Sequence, residues 1–212
     1  MKKQLVWLLA VPLLAGCDLD LTDLGSCQYD DTWTESVSAS GISALRLLAD
    51  AGNLRIEGRS GINTIRVRAT ACSDDRATLD EIDFDFFFSG STLELESFAP
   101  RYDDSRIDLI IEVPMDLAVA IFHEEGDIEI SDVDVVFVDD ESGHIELNNI
   151  TFDVDIEDES GNIDIFHVGG DVTIEDGAGD IDVDDVGGDF VVLFDSSGAI
   201  RHRNVRGRVD LP

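Results

Sequence analysis

The sequence predicts an all-β chain: a β-solenoid-like stack of coils of about 18 residues, with two facing sheets and one short helix near 73–81. Three observations predict it. One phrase recurs from Gly126 onward, as Gly126-DIEI, Gly143-HIEL, Gly161-NIDI, Gly179-DIDV and Gly198-AIRH, at spacings of 17, 18, 18 and 19 residues. A glycine followed by apolar residues at +2 and +4 reads as a turn and then a strand with one buried face. Repetition at a near-constant interval reads as stacked units rather than a conventional domain. The third observation is charge: between Ile107 and Ile200 stand 28 Asp and Glu and no Lys or Arg.

Composition bounds the functions. The 212 residues carry a formal charge of −33, yet 43% are apolar, so the chain can bury a core and is not an acidic disordered tail. A surface of this sign repels phosphates, which excludes nucleic acid as a partner. It suits cations, cationic partners or a salty habitat where screening is strong.

Elements follow in chain order. Lys2 and Lys3, the only lysines, precede a short apolar run, Leu5 to Leu14, and then Leu14-Ala15-Gly16-Cys17. The run is too short to span a membrane and reads as an export signal. Residues 14–17 resemble the lipobox of bacterial lipoproteins. That resemblance implies a signal peptide over 1–16, cleavage before Cys17, and acylation at Cys17 that anchors the chain in a membrane. Residues 17–32 form an acidic tether, and 33–212 a single β-repeat domain. Cys27 and Cys72 remain. In an oxidising compartment one disulfide between them is the economical reading; two buried thiols are the alternative.

Strands are expected at 33–40, 44–49, 53–57 and 63–71, from their partial or full alternation. Ser73–Glu81 reads as the helix, with Ser73 as its N-cap. Strands at 82–88 and 92–96 flank the Ser89-Gly90-Ser91 turn, and strands at 107–113 and 117–122 flank Pro114. Each later coil holds a second segment: VVFV (135–138), DVDI (153–156), DVTI (171–174) and FVVLF (190–194). An apolar residue recurs at +7 as Val133, Ile150, Val168, Val186 and Val205. The coil at 179–197 is one residue longer, which predicts a bulge.

The run IDLIIEVPMDLAVAIFHEEGDIEISDV (107–133), followed by S-G-x-I-x-I phrases, resembles the bacterial putative-adhesin β-repeat family, a domain of unknown function. ADAGNLRIEGRSGINTIRVRA (49–69) and LELES (93–97) extend the likeness over roughly residues 33–212. The resemblance implies an envelope-associated β-solenoid without established catalytic residues.

Two constellations stand out. Glu129, Glu146, Asp164 and Asp182 occupy +3 of successive coils and are expected to stack on an outer face. Neighbouring charges at strand spacing repel by about 0.9 kcal/mol in bulk water. Weak Ca²⁺ or Mg²⁺ binding is one reading and a solvated acidic face the other. Arg201, Arg203, Arg206 and Arg208 arrive together in the last coil, with Arg201 expected over Asp182, Arg203 over Asp184 and Arg208 near Asp189. They read as a basic cap that closes the solenoid end, or alternatively as a docking patch for an anion. His123, His144, His167 and His202 fall at different repeat offsets and are expected on the surface. No Cys/His metal spacing, nucleophile elbow or basic residue within the coils supports catalysis, so the expectation is not an enzyme and no cofactor beyond weak Ca²⁺.

The functional expectation is a lipid-anchored, non-catalytic protein of the bacterial cell envelope, monomeric, binding an envelope protein or glycan as an adhesin-like or scaffold module. The alternative is a membrane-proximal stress or signalling accessory in the periplasm, because Asp18 follows Cys17 as in the inner-membrane retention signal of enteric bacteria.

Overall fold

The computed structural model describes residues 27–100 and 105–212. Cys17, its leader and the first part of the tether lie outside the described residues.

Strands come in this order: β1 (Tyr29–Ser38), β2 (Ala44–Ala51), β3 (Leu54–Arg59) and β4 (Thr64–Ser73), then the short helix α1 (Arg76–Leu79). Next are β5 (Asp83–Ser89), β6 (Thr92–Phe98), β7 (Arg106–Pro114) and β8 (Ala118–Glu125). The coils supply β9 (Ile128–Ser131), β10 (Val135–Asp140), β11 (Ile145–Ile150), β12 (Val154–Asp158) and β13 (Ile163–Val168). They end with β14 (Val172–Asp176), β15 (Ile181–Val186), β16 (Phe190–Asp195), β17 (Ile200–Val205) and β18 (Val209–Asp210).

These strands form two nine-stranded sheets. Sheet one runs β1-β4-β7-β3-β9-β11-β13-β15-β17, and sheet two runs β18-β16-β14-β12-β10-β8-β2-β6-β5. The glycine phrases build sheet one and the second segments build sheet two, as a two-strand coil requires. From β9 onward every pairing is parallel, and all but β14 with β16 keep one register, so Ile145, Ile163 and Ile181 stack in one row and Val154 and Val172 in another. The stack of Ile and Val fills the space between the sheets from Leu45 to Val192 without a break. Branched side chains in register on a pleated face are what a buried parallel sheet favours.

Corners are set by a column of left-handed residues. Asp132, Asn149, His167 and Asp185 have φ of 60°, 59°, 60° and 58°, and Asn204 has 55°. Asn, Asp and His tolerate this region better than other side chains. Each precedes its +7 apolar residue and turns it inward, so that Val133, Ile150, Val168 and Val186 are buried. A second column is glycine. Gly161 has φ +157°, and a Cβ there would meet the Gly143 carbonyl oxygen at 1.6 Å.

The N-terminal part is woven differently. β2 lies between β6 and β8, and β3 between β7 and β9, so neither pairs with its sequence neighbour. β1 and β4 pair antiparallel, as do β4 and β7, and β5 and β6. Trp33 of β1 stacks on Phe84 of β5, with ring centroids 5.8 Å apart, and draws the two sheet edges together at this end. Cys27 and Cys72 form a disulfide.

Two expectations need correction, the cap of the helix and the start of β1, and a third holds. The helix is a single turn capped by Asp75, whose side chain accepts the Ala77 N–H; Ser73 instead ends β4 and accepts the Asp75 N–H through Oγ. β4 continues to Ser73 because it is paired on both sides, which leaves only Asp74 and Asp75 before the turn. β1 starts at Tyr29, inside the stretch read as tether, since its partner β4 is long enough to pair it. The bulge falls in the expected coil, with Glu175 opposite Phe194 and Leu193 left out of the ladder.

Candidate functional site

An inward row of carboxyl groups runs along sheet two. In β10, β12 and β14 the alternation Val136-Val138-Asp140, Val154-Ile156-Asp158 and Val172-Ile174-Asp176 points every second residue into the core, and the last of each set is Asp. Asp140 pairs in register with Asp158, Asp158 with Asp176, and Asp176 with Asp195 of β16. Asp140, Asp158 and Asp176 are 1%, 6% and 0% exposed. The Asx turns at the strand ends explain half of their bonding. Asp158 Oδ1 accepts the Ser160 N–H at 3.2 Å, and Asp176 Oδ1 accepts the Ala178 N–H at 3.0 Å. The other oxygen of each, Oδ2 of Asp140, Asp158 and Asp176, has no partner, and neither has Oδ1 of Asp195.

His123 heads this row. It sits on β8 opposite Asp140, its side chain is fully buried, and its Nδ1 lies 2.8 Å from Asp140 Oδ1. Its Nε2 lies 2.8 Å from the Gly52 carbonyl oxygen. The expectation that this histidine is a surface residue was incorrect: period-2 alternation of β8 puts Val119, Ile121 and His123 on one inner face. Likewise the acids are not confined to the outside. The signal was present in the sequence as an Asp two residues beyond the last inward Val or Ile of β10, β12 and β14.

Burial and like charges raise the pKa of Asp158 and Asp176. Desolvation, then Asp140 and Asp176, pushes Asp158 up to about 7, and desolvation, then Asp195, pushes Asp176 up to about 6. The hydrogen bonds from Ser160 and Ala178 act in the opposite direction and are outweighed.

Five further aspartates serve the turns. Asp153, Asp171 and Asp189 each accept the backbone N–H one coil onward, from Asp171, Asp189 and Arg208, at 2.9, 2.7 and 2.7 Å. Asn53, Asp127, Asn162 and Asp180 do the same at the glycine corner. These ladders give the corner N–H groups an acceptor that strand pairing does not supply.

Glu129, Glu146, Asp164 and Asp182 form one in-register row on the outer face of sheet one. Arginines stand at both ends. Arg55 pairs with Glu129 in the ladder and reaches it at 3.1 Å, and Arg201 lies beside Asp182. Among the described residues, no three His, Cys, Asp or Glu are arranged to hold a metal ion. In the last coil Arg201 reaches Asp180 at 3.1 Å, Arg203 reaches Asp184 at 3.2 Å and Arg206 reaches Asp185 at 3.6 Å. Arg208 lies between Asp189 at 3.8 Å and Asp210 at 3.4 Å. Arg203 thus meets the carboxylate expected for it, whereas Arg201 stacks over Asp182 in the ladder but turns its guanidinium to Asp180. The Ala199 N–H and then Arg201 hold the Asp180 carboxyl below its usual value.

The outer face of sheet two carries the apolar surface. The Arg46 guanidinium lies 4.7 Å from the centre of the Phe122 ring and is paired with Glu94, and Phe122 contacts Phe137. At the sheet edge Phe87, Phe88 and Phe98 are 47%, 61% and 55% exposed.

No family model matches the chain, and no curated protein matches it. Solved structures do. The chain is similar to a putative cell adhesion protein from Clostridium sporogenes, at 13% identity over 86% of this chain and 99% of that one, with a TM-score of 0.45. It is similar to a putative adhesin from Bacteroides fragilis at 12% identity over 86% and 97%, with a TM-score of 0.35. A putative adhesin from Parabacteroides merdae aligns at 10% identity over 85% and 96%, with a TM-score of 0.27.

Proposed function

We propose that the chain is a lipid-anchored, non-catalytic binding module of the bacterial cell envelope, held through Cys17 and engaging an envelope partner through the β5 edge. The observation that carries this reading is that edge. β5 ends sheet two, and among the described residues no strand pairs with its outer side. Its sequence DFDFFFS places Phe87 and Phe88 at the surface, beside Phe98 of β6. Native edges are usually blunted by lysine, proline or a bulge, and β5 has none of these. An apolar strand of seven residues, paired on its inner side alone among the described residues, is suited to adding a partner's extended segment by main-chain hydrogen bonds. The carboxylates of Asp83 and Asp85 on the same strand favour a partner segment of positive charge.

The test combines two measurements in an exporting bacterium. Labelled fatty acid should be incorporated by the natural chain and not by Cys17→Ser. A photo-crosslinker at position 87 should capture an envelope component, and a crosslinker on the acidic face at position 164 should not. Failure of both labelling and capture removes the proposal. Protease treatment of intact cells then distinguishes an adhesin, which is degraded, from the periplasmic accessory to which Asp18 points, which is protected.

A further inference from the structure

We propose that the column His123–Asp140–Asp158–Asp176–Asp195 is a buried proton-binding site, loaded from solvent, whose occupancy holds the coils of sheet two together. The reading starts from hydrogen accounting. The Gly52 carbonyl can only accept, so Nε2 of His123 carries a hydrogen. Asp140 Oδ1 and Nδ1 of the same ring are 2.8 Å apart, which is a hydrogen bond only if a second proton lies between them. The pair therefore holds one proton more than a neutral imidazole and a carboxylate do.

Further along, the ladder offers the same solution to a harder problem. Asp140, Asp158 and Asp176 sit at strand spacing, roughly 4.8 Å, and all three are buried. Two ionised neighbours there would repel, and each would keep a desolvated oxygen without a donor. A proton on one Oδ2 removes the repulsion and supplies a donor for the unpartnered oxygen beside it. Oδ1 of Asp158 and Asp176 is occupied by its turn N–H, so Oδ2 is the atom that takes the proton.

Apart from the imidazole of His123 at its head, the column is made of carboxyl groups. His123 comes from β8, Asp140 from β10, Asp158 from β12, Asp176 from β14 and Asp195 from β16, and the Glu159 carboxylate adds to the repulsion felt by Asp158. No Lys or Arg stands between 107 and 200, so the chain within these coils offers no other cation. The raised titration of Asp158 and Asp176 agrees with this geometry.

The sign follows from linkage. A carboxyl with its folded value above its unfolded 3.8 binds more protons folded than unfolded between the two. Stability therefore falls as pH rises from about 4 through about 7 and flattens above that window. In the full-length chain, infrared spectra should show protonated-carboxyl absorption persisting to pH 6–7, and the melting temperature should fall between pH 5 and 8. Asp158→Asn with Asp176→Asn mimics the protonated column, because each amide donates where Oδ2–H did. This variant should lose the infrared band, flatten the pH slope and melt several degrees above the natural chain at pH 8. Glu146→Gln with Asp164→Asn, on the outer face, should keep the band and the natural slope. The proposal is overturned if the natural chain lacks the band above pH 5, whether or not any variant folds. It is also overturned if the column variant keeps the natural slope, or if Na⁺ or Ca²⁺ at pH 8 restores the natural chain's pH 5 melting temperature, which would make a metal cation the ligand.

Discussion

Replacing His123 by Leu isolates the head of the carboxyl row. The natural imidazole makes two hydrogen bonds of 2.8 Å, to Asp140 Oδ1 and to the Gly52 carbonyl. The substitution removes both and leaves two buried acceptors, each costing about 1–3 kcal/mol. Asp140 Oδ2 already has no partner, so His123→Leu leaves the whole carboxyl buried without a donor. Breaking one side of a buried pair costs about 3–5 kcal/mol, and this range is expected for His123→Leu at pH 7. Asp140→Leu alone should cost a similar amount, since Nδ1 of His123 loses its acceptor. The double replacement removes donor and acceptor together and fills the space with apolar groups. It should cost at least about 1 kcal/mol less than the two single costs added, which appears as a coupling energy in a double-mutant cycle. Urea unfolding followed by circular dichroism, with a check that the m-value is unchanged, supplies the four stabilities. A single-variant cost below about 1 kcal/mol, or strict additivity in the double, would refute the buried-pair reasoning.

Three other outcomes are expected. Gly161→Ala should prevent coil closure or lower stability by several kcal/mol by denaturant titration, because its Cβ would lie 1.6 Å from the Gly143 carbonyl oxygen. Cys72→Ser opens a link across 45 residues and should lower stability by about 4 kcal/mol on the chain-entropy relation, with the same loss on reduction of the natural chain. Arg201→Glu with Arg203→Glu should lower the melting temperature most at low salt and progressively less as salt is added, because both arginines are more than half exposed and screened. An equal loss at all salt concentrations would mean that packing rather than charge closes this end.

The coils were legible because they are regular. Ile145, Ile163 and Ile181 advertise a buried row, and the extra residue between Asp176 and Phe194 announces the bulge at Leu193. The N-terminal weave was not legible. Which strand lies beside β2 or β3 depends on the stacking of β8 and β9, far along the chain, and alternation within a strand carries no record of its neighbours. Helix signals at Ser73 lost to pairing, since β4 is held on both sides up to Cys72 and Ser73 itself pairs with Tyr29 of β1. The buried acids were overlooked for a different reason. An Asp at the end of VDIED looks like the start of a solvated turn, yet the two-residue period carries it inward, and its turn N–H makes that placement tolerable. His123 followed the same period and disclosed nothing by its offset in the repeat. The outer row from Glu129 to Asp182 was legible, as was Arg201 at one end of it, whereas Arg55 at the other end came from β3, outside the repeat.

The link between Cys27 and Cys72 has a mechanical consequence. Any tension arriving along the N-terminal segment reaches sulfur before it reaches the first strand. It passes across the bridge into β4, which is clamped between β1 and β7, and the load is shared by two ladders at once. β1 is thus spared from unzipping one rung at a time from its free end, and a pull on the chain is met by the body of sheet one.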